Sequence, residues 1–214
     1  IDSFYNGYGL AAGGFLSYTS PFFSEQSVQH DAEKGMDLIR EVVGDQPVEL
    51  TFLLPGVDAK RYPYQEEAEY IQALLENIEG TDIKVNIQMM DWGPCKDEMK
   101  AGNYNLCLKI QGLPSANPFS LFKGFLRTGG GTNVSYGLGY SNEHVDALID
   151  EAAASLDVNR LIEIYTELQE ISAADFPNIP VLYSREVVAC SSDITGYQAT
   201  VYGLTGFTQV CWAK

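Results

Sequence analysis

The segment from Trp92 to Pro118 constrains the fold more than any other part of the chain. It combines a short helical pattern, a tight turn at Gly102 and Asn103, an apolar run from Tyr104 to Ile110, and a polar loop that begins where this run ends. In open α/β sheets, ligands bind beyond the carboxyl ends of the strands. The segment therefore predicts a sheet strand that is followed directly by a ligand-binding loop.

Two other strand patterns precede this one, and helical patterns separate them. Residues 47–55 form an apolar run that begins and ends at proline, and residues 83–90 alternate apolar with polar side chains. Helical periodicity is found at residues 31–44, 68–78 and 94–101. Strands that alternate with helices are typical of a mainly parallel sheet flanked by helices and joined by right-handed crossovers. The predicted fold class is therefore α/β.

Two amphipathic helices and a further strand are predicted after the polar loop. Ser141 is the expected N-cap of the first helix, and Asp157 is the expected N-cap of the second. The residues from Ile179 to Cys190 predict a long strand that returns to the sheet. The buried faces of the two helices are predicted to consist of Val145, Leu148, Ile149 and Ala152, and of Leu161, Ile164, Tyr165, Leu168 and Ile171.

The organisation of the chain is predicted as one domain with an attached segment at each end. The chain has 214 residues, 45% of them hydrophobic, which is enough to bury a substantial core. Residues 1–30 lack helical periodicity and predict an extended segment, residues 31–192 form the predicted α/β domain, and residues 193–214 predict an excursion away from it. Because the chain begins at Ile1 without a methionine, we expect it to be a processed or excised piece.

Composition argues against several classes of function. With 29 acidic and 13 basic residues, the chain has the wrong sign of charge for displacing counterions from a nucleic acid. It contains no run of about 18 apolar residues that could cross a membrane. The four cysteines lack the spacing of a zinc site. We therefore predict no nucleic acid partner, no metal ligand and no cofactor.

The sequence also lacks the patterns of an enzyme. His30 and His144 are the two histidines, and neither has a serine or cysteine in a recognisable nucleophile motif. The glycines between Thr128 and Asn133 lack the lysine and the spacing of a phosphate-binding loop. We therefore assign no catalytic residue.

A set of polar and aromatic side chains near the predicted strand ends suits the binding of a small polar solute. Small-molecule pockets combine aromatic walls with a few oriented hydrogen-bonding groups. The candidate ligand-binding residues are Trp92, Gln111, Ser115, Asn117, Asn133, Tyr136 and Tyr140.

Several stretches, in this order and spacing, carry a resemblance to a known family. They are IKVNIQMMDW, KAGNYNL, GYSNEHVDALIDEA, AADFPNIPVLYSREVVA and ITGYQAT. Together they resemble the C-terminal lobe of extracellular solute-binding protein family 5, the oligopeptide, dipeptide and nickel receptors of ABC importers. The resemblance implies a lobe of the type II periplasmic-binding-protein fold.

The resemblance also implies a mode of action and further site residues. In this family two lobes close on a solute, so residues 1–30 and 193–214 would cross to an N-terminal lobe. The protein would work outside the cytoplasm and be anchored as a lipoprotein. Its partners would be ABC permease subunits. Trp92 matches an aromatic residue that lines the cleft, and Gln111 falls where a cleft tryptophan is common. Pro114 falls where peptide binders carry an aspartate that pairs with the ligand's amino terminus. The solute is left open as a peptide, a nickel chelate or a related polar ligand.

The alternatives from other classes are a generic α/β interaction domain that is unconnected with transport, and an α/β hydrolase. A turnover assay with ester and peptide substrates would separate the hydrolase from the receptor. An upstream signal peptide and first lobe in the encoding gene would separate the receptor from an interaction domain.

Overall fold

The computed structural model describes residues 2–26, 31–44, 46–112, 117–185, 189–198, 207 and 209–213. The helices in these ranges are α1 (Asp2–Tyr5), α2 (Ala32–Val43), α3 (Gly56–Ala59), α4 (Tyr64–Glu76), α5 (Trp92–Ala101), α6 (Phe119–Phe125), α7 (Gly131–Ser135), α8 (Glu143–Ala154) and α9 (Val158–Asp175). The strands are β1 (Gly9–Ala11), β2 (Pro47–Pro55), β3 (Asp82–Met90), β4 (Leu106–Cys107), β5 (Leu182–Ser184), β6 (Ile194–Thr195) and β7 (Cys211–Trp212).

A parallel three-stranded sheet with the order β3-β2-β4 forms the centre of the α/β part. Strand β2 pairs with β3 along its whole length, from Pro47 opposite Asp82 to Pro55 opposite Met90. The carboxyl half of β2 is buried because it lies between two neighbouring strands and carries apolar side chains on both faces. The predicted α/β class with a parallel sheet is confirmed.

Alternating side chains of β2 contact helices on opposite faces of the sheet. Phe52 and Leu54 lie in a cluster with α2 and α4, whereas Leu53 lies in a cluster with Cys95 and Met99 of α5. This arrangement follows from the two-residue repeat of a strand, which directs successive side chains to opposite faces. The sheet is therefore covered on both sides, as a strand with a continuous apolar run requires.

A second core joins α6, α8 and α9 to the first part of the chain. Phe122 of α6 stacks on Tyr165 of α9, with ring centroids 5.4 Å apart. Leu16 is buried in the same cluster. The side-chain amide of Gln169 donates to the Phe22 carbonyl oxygen at 2.9 Å and accepts from the Ser24 amide at 3.2 Å. The segment before α2 is therefore packed into this helical core by both apolar and polar contacts.

The ends of the helices agree with the sequence in most places and differ in two. Asp157 caps α9, and Gly102 ends α5 in the left-handed conformation, as predicted. The predicted Ser141 cap is wrong because Asn142 accepts the amide hydrogens of His144 and Val145, while the Ser141 hydroxyl hydrogen-bonds to that of Thr128. Helix α5 begins at Trp92 rather than at residue 94, so Trp92 is its first residue.

Two strand predictions also need correction. The run from Tyr104 to Ile110 contains only the two-residue strand β4, because β2 pairs there only through Phe52 and Leu53. The long returning strand predicted at residues 179–190 is the three-residue strand β5, which pairs antiparallel with β1 instead of joining the parallel sheet. Residues 186–188 of that run lie outside the described residues.

The two end segments contain short regular elements. Residues 2–26 include α1 and β1, while residues 27–30 lie outside the described ranges. In the last part of the chain, Ile194 pairs with Trp212 and Thr195 pairs with Cys211. The extended character expected of residues 1–30 therefore does not hold for α1, whereas the predicted crossing to another lobe stays a prediction.

We expect Gly137 to be a position where a side chain disrupts the packing of α7 on α5. Gly137 and Gly139 have nearly the same left-handed backbone, with φ of 60° and 65°. A Cβ atom at Gly137 would collide with the Met99 carbonyl oxygen, whereas one at Gly139 would meet no atom within 4 Å. Gly139→Ala should cost about 1 kcal/mol of unfolding free energy and Gly137→Ala roughly 3 kcal/mol. Urea unfolding of the two variants measures the difference, and equal losses would contradict the close approach.

Candidate functional site

The carboxyl ends of β2, β3 and β4 lie at one edge of the sheet, and each is followed by a residue that joins a common cluster. Asp58 lies in α3 after β2, Trp92 opens α5 after β3, and Lys109 follows β4. The Lys109 ammonium group lies 3.2 Å from the Asp58 carboxylate and 4.8 Å from the centre of the Trp92 ring. It also donates a hydrogen bond to the Ile110 carbonyl oxygen at 3.2 Å. Lys109 therefore connects the residues that follow the three strands through an ion pair, a contact with an aromatic ring and a hydrogen bond.

Tyr136, at the end of α7, packs against the other side of this edge. Its ring meets that of Trp92 edge-on, with centroids 6.4 Å apart, and that of Phe125 edge-on at 6.0 Å. The Tyr104 hydroxyl donates to the Tyr136 carbonyl oxygen at 2.6 Å. Burial raises the pKa of Tyr104, so this hydroxyl keeps its proton for that bond. The position of the Tyr136 ring is thus fixed from several directions.

A cavity of about 430 Å³ lies beside these two aromatic rings. It is lined by Trp92, Lys96, Gly124, Gly131, Thr132, Ser135 and Tyr136. Its size falls within the range of small-molecule sites. The lining combines the aromatic rings of Trp92 and Tyr136, the aliphatic hydroxyl groups of Thr132 and Ser135, and the Lys96 ammonium group, which suits a solute with both apolar and anionic or amide groups.

The structure brings together two of the residues predicted from sequence, because Trp92 and Tyr136 both line this cavity. Gln111 is exposed, and its amide donates to the neighbouring Gly112 carbonyl oxygen at 2.9 Å. Pro114 and Ser115 lie outside the described residues. Asn117 accepts hydrogen bonds from the Phe119 amide and the Tyr165 hydroxyl, each at 2.9 Å, which fixes the start of α6.

Asn133 and Tyr140 hold the loop around α7 rather than line the cavity. Asn133 is only 3% exposed, and its amide donates to the carbonyl oxygens of Arg127 at 3.0 Å and Tyr140 at 2.7 Å. The Tyr140 hydroxyl donates to the Asp175 carboxylate at 2.6 Å. Burial and this carboxylate raise the pKa of Tyr140 to about 12. Both side chains therefore have bonds within the protein, and the contact with a solute predicted for them stays a prediction.

The sequence-based prediction missed Lys96, Thr132 and Ser135 of the cavity wall and the Asp58–Lys109 pair. Lys96 lies one helical turn after Trp92, so the helical repeat could have placed both on one face. Asp58 follows one predicted strand and Lys109 lies at the carboxyl end of another, so their common edge could have been anticipated too. Thr132 and Ser135 carried no such signal, because their position depends on how α7 packs on α5.

A second cavity, of about 220 Å³, lies near α1 and α4. Its lining is almost entirely apolar and aromatic, but it includes the buried side chain of Glu67. Burial raises the pKa of Glu67, and the hydrogen bond from the Tyr5 hydroxyl offsets part of this rise. The charged carboxylate is therefore disfavoured in the folded protein relative to the unfolded chain.

We expect Glu67→Gln to stabilise the protein at high pH. A carboxyl group whose pKa is higher in the folded state binds protons more strongly there, so the wild type gains stability as the pH falls through that pKa. Glutamine does not titrate and can still accept the Tyr5 hydrogen bond. In thermal unfolding, the variant should have a higher melting temperature than the wild type at pH 8, and this difference should decrease towards pH 4. The exposed neighbour Glu66→Gln is the control, and a Glu67→Gln advantage independent of pH would contradict the assignment.

We expect removal of either partner of the Asp58–Lys109 pair to destabilise the protein, and removal of both charges to restore most of the loss. The two side chains are 11% and 24% exposed, so one partner alone would leave a poorly solvated charge. Asp58→Asn or Lys109→Met should each cost about 2 kcal/mol in urea unfolding, less than a fully buried pair. The loss of unfolding free energy in the double variant should be less than half of the sum of the two single losses.

The exposed Asp37–Arg40 pair is the matched control for this double-mutant cycle. Asp37→Asn should change the unfolding free energy by less than about 0.5 kcal/mol, because water already solvates an exposed pair. Additive costs for Asp58→Asn and Lys109→Met would show that the two groups do not interact energetically.

The described part of the chain shows neither a metal cluster nor a membrane-spanning helix. Across these ranges, no three His, Cys, Asp or Glu side chains are grouped so that they could hold a metal ion. Within the same ranges, no helix is both long and apolar enough to cross a bilayer.

Comparison with known proteins finds relatives along the whole chain, although no family model matches it. The di/tripeptide-binding protein 1 of Pseudomonas aeruginosa is 22% identical over 220 residues, which cover 100% of this chain and 40% of that protein. The dipeptide-binding protein DppE of Bacillus subtilis is 25% identical over 92% of this chain and 37% of its own length. The chain thus spans about two fifths of the length of the curated relatives it matches.

The fold agrees with solved structures of such proteins. A dipeptide-binding protein from Pseudoalteromonas sp. SM9913, crystallised with Met-Leu, superposes with a TM-score of 0.81 at 20% identity and covers 99% of this chain and 42% of its own. The fold is that of one lobe of a type II solute-binding protein. The curated relatives include dipeptide-, nickel- and heme-binding proteins, so the resemblance to family 5 solute-binding proteins is confirmed, and the share of their length that the chain covers fits the predicted C-terminal lobe.

Proposed function

We propose that this chain is the C-terminal lobe of an extracytoplasmic solute-binding protein that captures a small polar solute and delivers it to an ABC importer. The observation that carries this proposal is the cavity beside Trp92 and Tyr136 at the carboxyl edge of the parallel sheet. Relatives that match the whole chain are binding proteins rather than enzymes, which supports a binding role over a catalytic one.

The chemistry of the cavity favours a solute that carries a carboxylate. Lys96 can pair with a carboxylate, and the hydroxyl groups of Thr132 and Ser135 can donate to carboxylate or amide oxygens. Peptides and amino-acid chelates of nickel have such groups, and both ligand types occur in the names or structures of the relatives. An aromatic wall formed by Trp92 would pack against the apolar part of either ligand.

The arrangement of Trp92 makes it suited to this role before the solute arrives. Its ring is held by the Lys109 ammonium on one side and by the Tyr136 ring on another. Because the Asp58 carboxylate pairs with Lys109, the charge next to the ring is balanced. A wall that is already ordered loses little side-chain entropy when the solute binds, and this preorganisation favours affinity.

The proposed mode of action needs a second lobe. A solute that contacts both lobes binds the closed form more strongly than the open form and shifts the equilibrium towards closure. The permease would then distinguish the loaded receptor by its closed shape. We place this cycle at the outer face of the cytoplasmic membrane, with the receptor anchored as a lipoprotein.

We expect Trp92→Ala to weaken solute binding by the full-length protein at least tenfold. The test begins with mass spectrometry of the solute that co-purifies, supplemented by a panel of dipeptides, tripeptides, Ni(L-His)₂ and heme. Calorimetry then compares the wild type with Trp92→Ala and with the control Trp212→Ala, which removes a tryptophan that is 75% exposed and absent from the cavity lining. Truncating an aromatic contact of this kind is worth roughly 1.5 kcal/mol or more.

The melting temperature of the unliganded variants decides whether Trp92 acts at the site or in the core. A fall in melting temperature that corresponds to a loss of roughly 3 to 5 kcal/mol of unfolding free energy, as for truncating a core aromatic, would assign Trp92 to the core. Unchanged affinity of Trp92→Ala for the identified solute would remove this residue from the site. Binding of none of the four ligand classes, by a protein that co-purifies with no solute, would overturn the proposed function.

A further inference from the structure

Three sulfur atoms lie together directly behind the aromatic wall of the cavity. Cys95 and Met99 are one helical turn apart on α5 and are 0% and 2% exposed. Cys107 of β4 packs in the same cluster, with its Sγ atom 3.9 Å from the Met99 Sδ atom, and its thiol is near enough to that of Cys95 to shift the Cys95 pKa. Two free thiols from different elements therefore lie in one cluster with Met99, next to the residues that position Trp92.

We propose that Cys95 and Cys107 are a modification site, at which a disulfide forms between α5 and β4 when the folded protein meets a disulfide-bonded oxidant. Because both thiols pack with Met99 in one cluster of the reduced protein, a rearrangement of side chains can bring the two sulfur atoms to bonding distance. Free cysteines in contact become oxidised in extracytoplasmic compartments, where thiols are not kept reduced. The presence of such an oxidant rests on the location given under the proposed function, whereas the assignment of the cysteine pair rests only on the geometry.

The reaction is a thiol–disulfide exchange with a low-molecular-weight disulfide or an oxidised disulfide oxidoreductase. Cys107 is the partly exposed member of the pair, so its thiolate attacks the oxidant, forms a mixed disulfide and releases one reduced thiol. The Cys95 thiolate then attacks the Cys107 sulfur, forms the Cys95–Cys107 bond and releases the second reduced thiol. The protein loses two electrons and two protons, and the oxidant gains both.

The environment of the pair makes this exchange slow at neutral pH and faster in alkali. Burial raises the pKa of Cys107 to about 12 and also raises that of Cys95. The hydrogen bond from Cys107 and the charge of Lys109 oppose the rise at Cys95. Since the thiolate is the nucleophile, the rate should increase with pH across the range from 7 to 9.

The disulfide would join the two elements that hold the wall of the cavity. Cys95 lies one turn after Trp92 on α5, and Cys107 lies two residues before Lys109. The covalent bond would therefore restrict how α5 and β4 move apart, and would fix the contact between the Trp92 ring and the Lys109 ammonium. This consequence rests on the proposed function, because it gives the bond a role in ordering the solute site.

Peptide mapping tests the bond directly. Trypsin cleaves after Lys84, Lys96, Lys100 and Lys109, so Cys95 and Cys107 fall in the separate peptides 85–96 and 101–109. The full-length protein, purified reduced and folded, is treated with oxidised glutathione at pH 8.5, alkylated and digested without reductant. We expect the two peptides to be found linked, and to separate after reduction with a mass increase of one hydrogen each.

Variants separate this bond from reactions of the exposed cysteines. The Cys190→Ala/Cys211→Ala background removes both exposed thiols of this chain. In that background, oxidation should raise the melting temperature by roughly 6 to 10 °C, because the bond restricts the conformations of the unfolded chain. The same treatment should cause no such rise after the further change Cys107→Ala.

Separate alkylation of peptides 85–96 and 101–109 after full exposure of the folded protein to the oxidant would overturn the proposal. Appearance of the linked pair only after denaturation would also overturn it, because the native contact would then not be the cause. Neither readout uses a solute, so a failure here leaves the solute-binding proposal to be judged by its own calorimetry.

Discussion

The parallel pairing of β2 with both β3 and β4 determines where everything else at the site can lie. Parallel strands run in one direction, so the carboxyl ends of all three meet at a single edge. The residues that follow these ends come from distant parts of the sequence but are neighbours in space: Asp58, Trp92 and Lys109. Without the long register between β2 and β3, Trp92 would have no fixed position relative to the other two.

Lys109 holds this edge together because its ammonium group has balanced partners. A cation over an aromatic ring contributes about 0.5 to 2 kcal/mol, depending on how far it is removed from water. A half-buried lysine without a counterion would lose more than that through desolvation. The Asp58 carboxylate and the Ile110 carbonyl oxygen remove that cost, so the contact with Trp92 can be net favourable. With this contact in place, the Trp92 ring also packs edge-on with Tyr136 and lines the cavity.

The helical core contributes the opposite wall of the cavity. Helices α6 and α7 supply Gly124, Gly131, Thr132, Ser135 and Tyr136, and their positions depend on the packing of Phe122 and Phe125 among α8, α9 and the first part of the chain. Polar bonds complete this arrangement, since Asn133 fixes the loop around α7 from inside. The cavity therefore lies between two cores, one built on the sheet and one built on helices. In the proposed function this wall is one half of a solute site, and the chain covers about two fifths of the relatives' length.

The amino-acid sequence by itself determined the class of the fold and the order of the central strands and helices from α2 to β4. The apolar run of β2, the alternation in β3, the cap at Asp157 and the stop at Gly102 are local signals, and each is found in the structure. Local backbone preferences and side-chain periodicity act between residues close in the chain, so they can be recognised without a tertiary structure. The family resemblance came from the order of such stretches for the same reason.

Only the tertiary structure decided which side chains meet. It paired β5 with β1, placed Tyr136 against Trp92, brought Lys109 to Asp58, and turned Asn133 inward to hold a loop. These contacts join residues far apart in the chain, and their energies depend on distance, burial and orientation, which no local pattern encodes. Trp92 was found from sequence because a strand end marks its position, whereas Lys96, Thr132 and Ser135 became recognisable only when α5 and α7 had packed together.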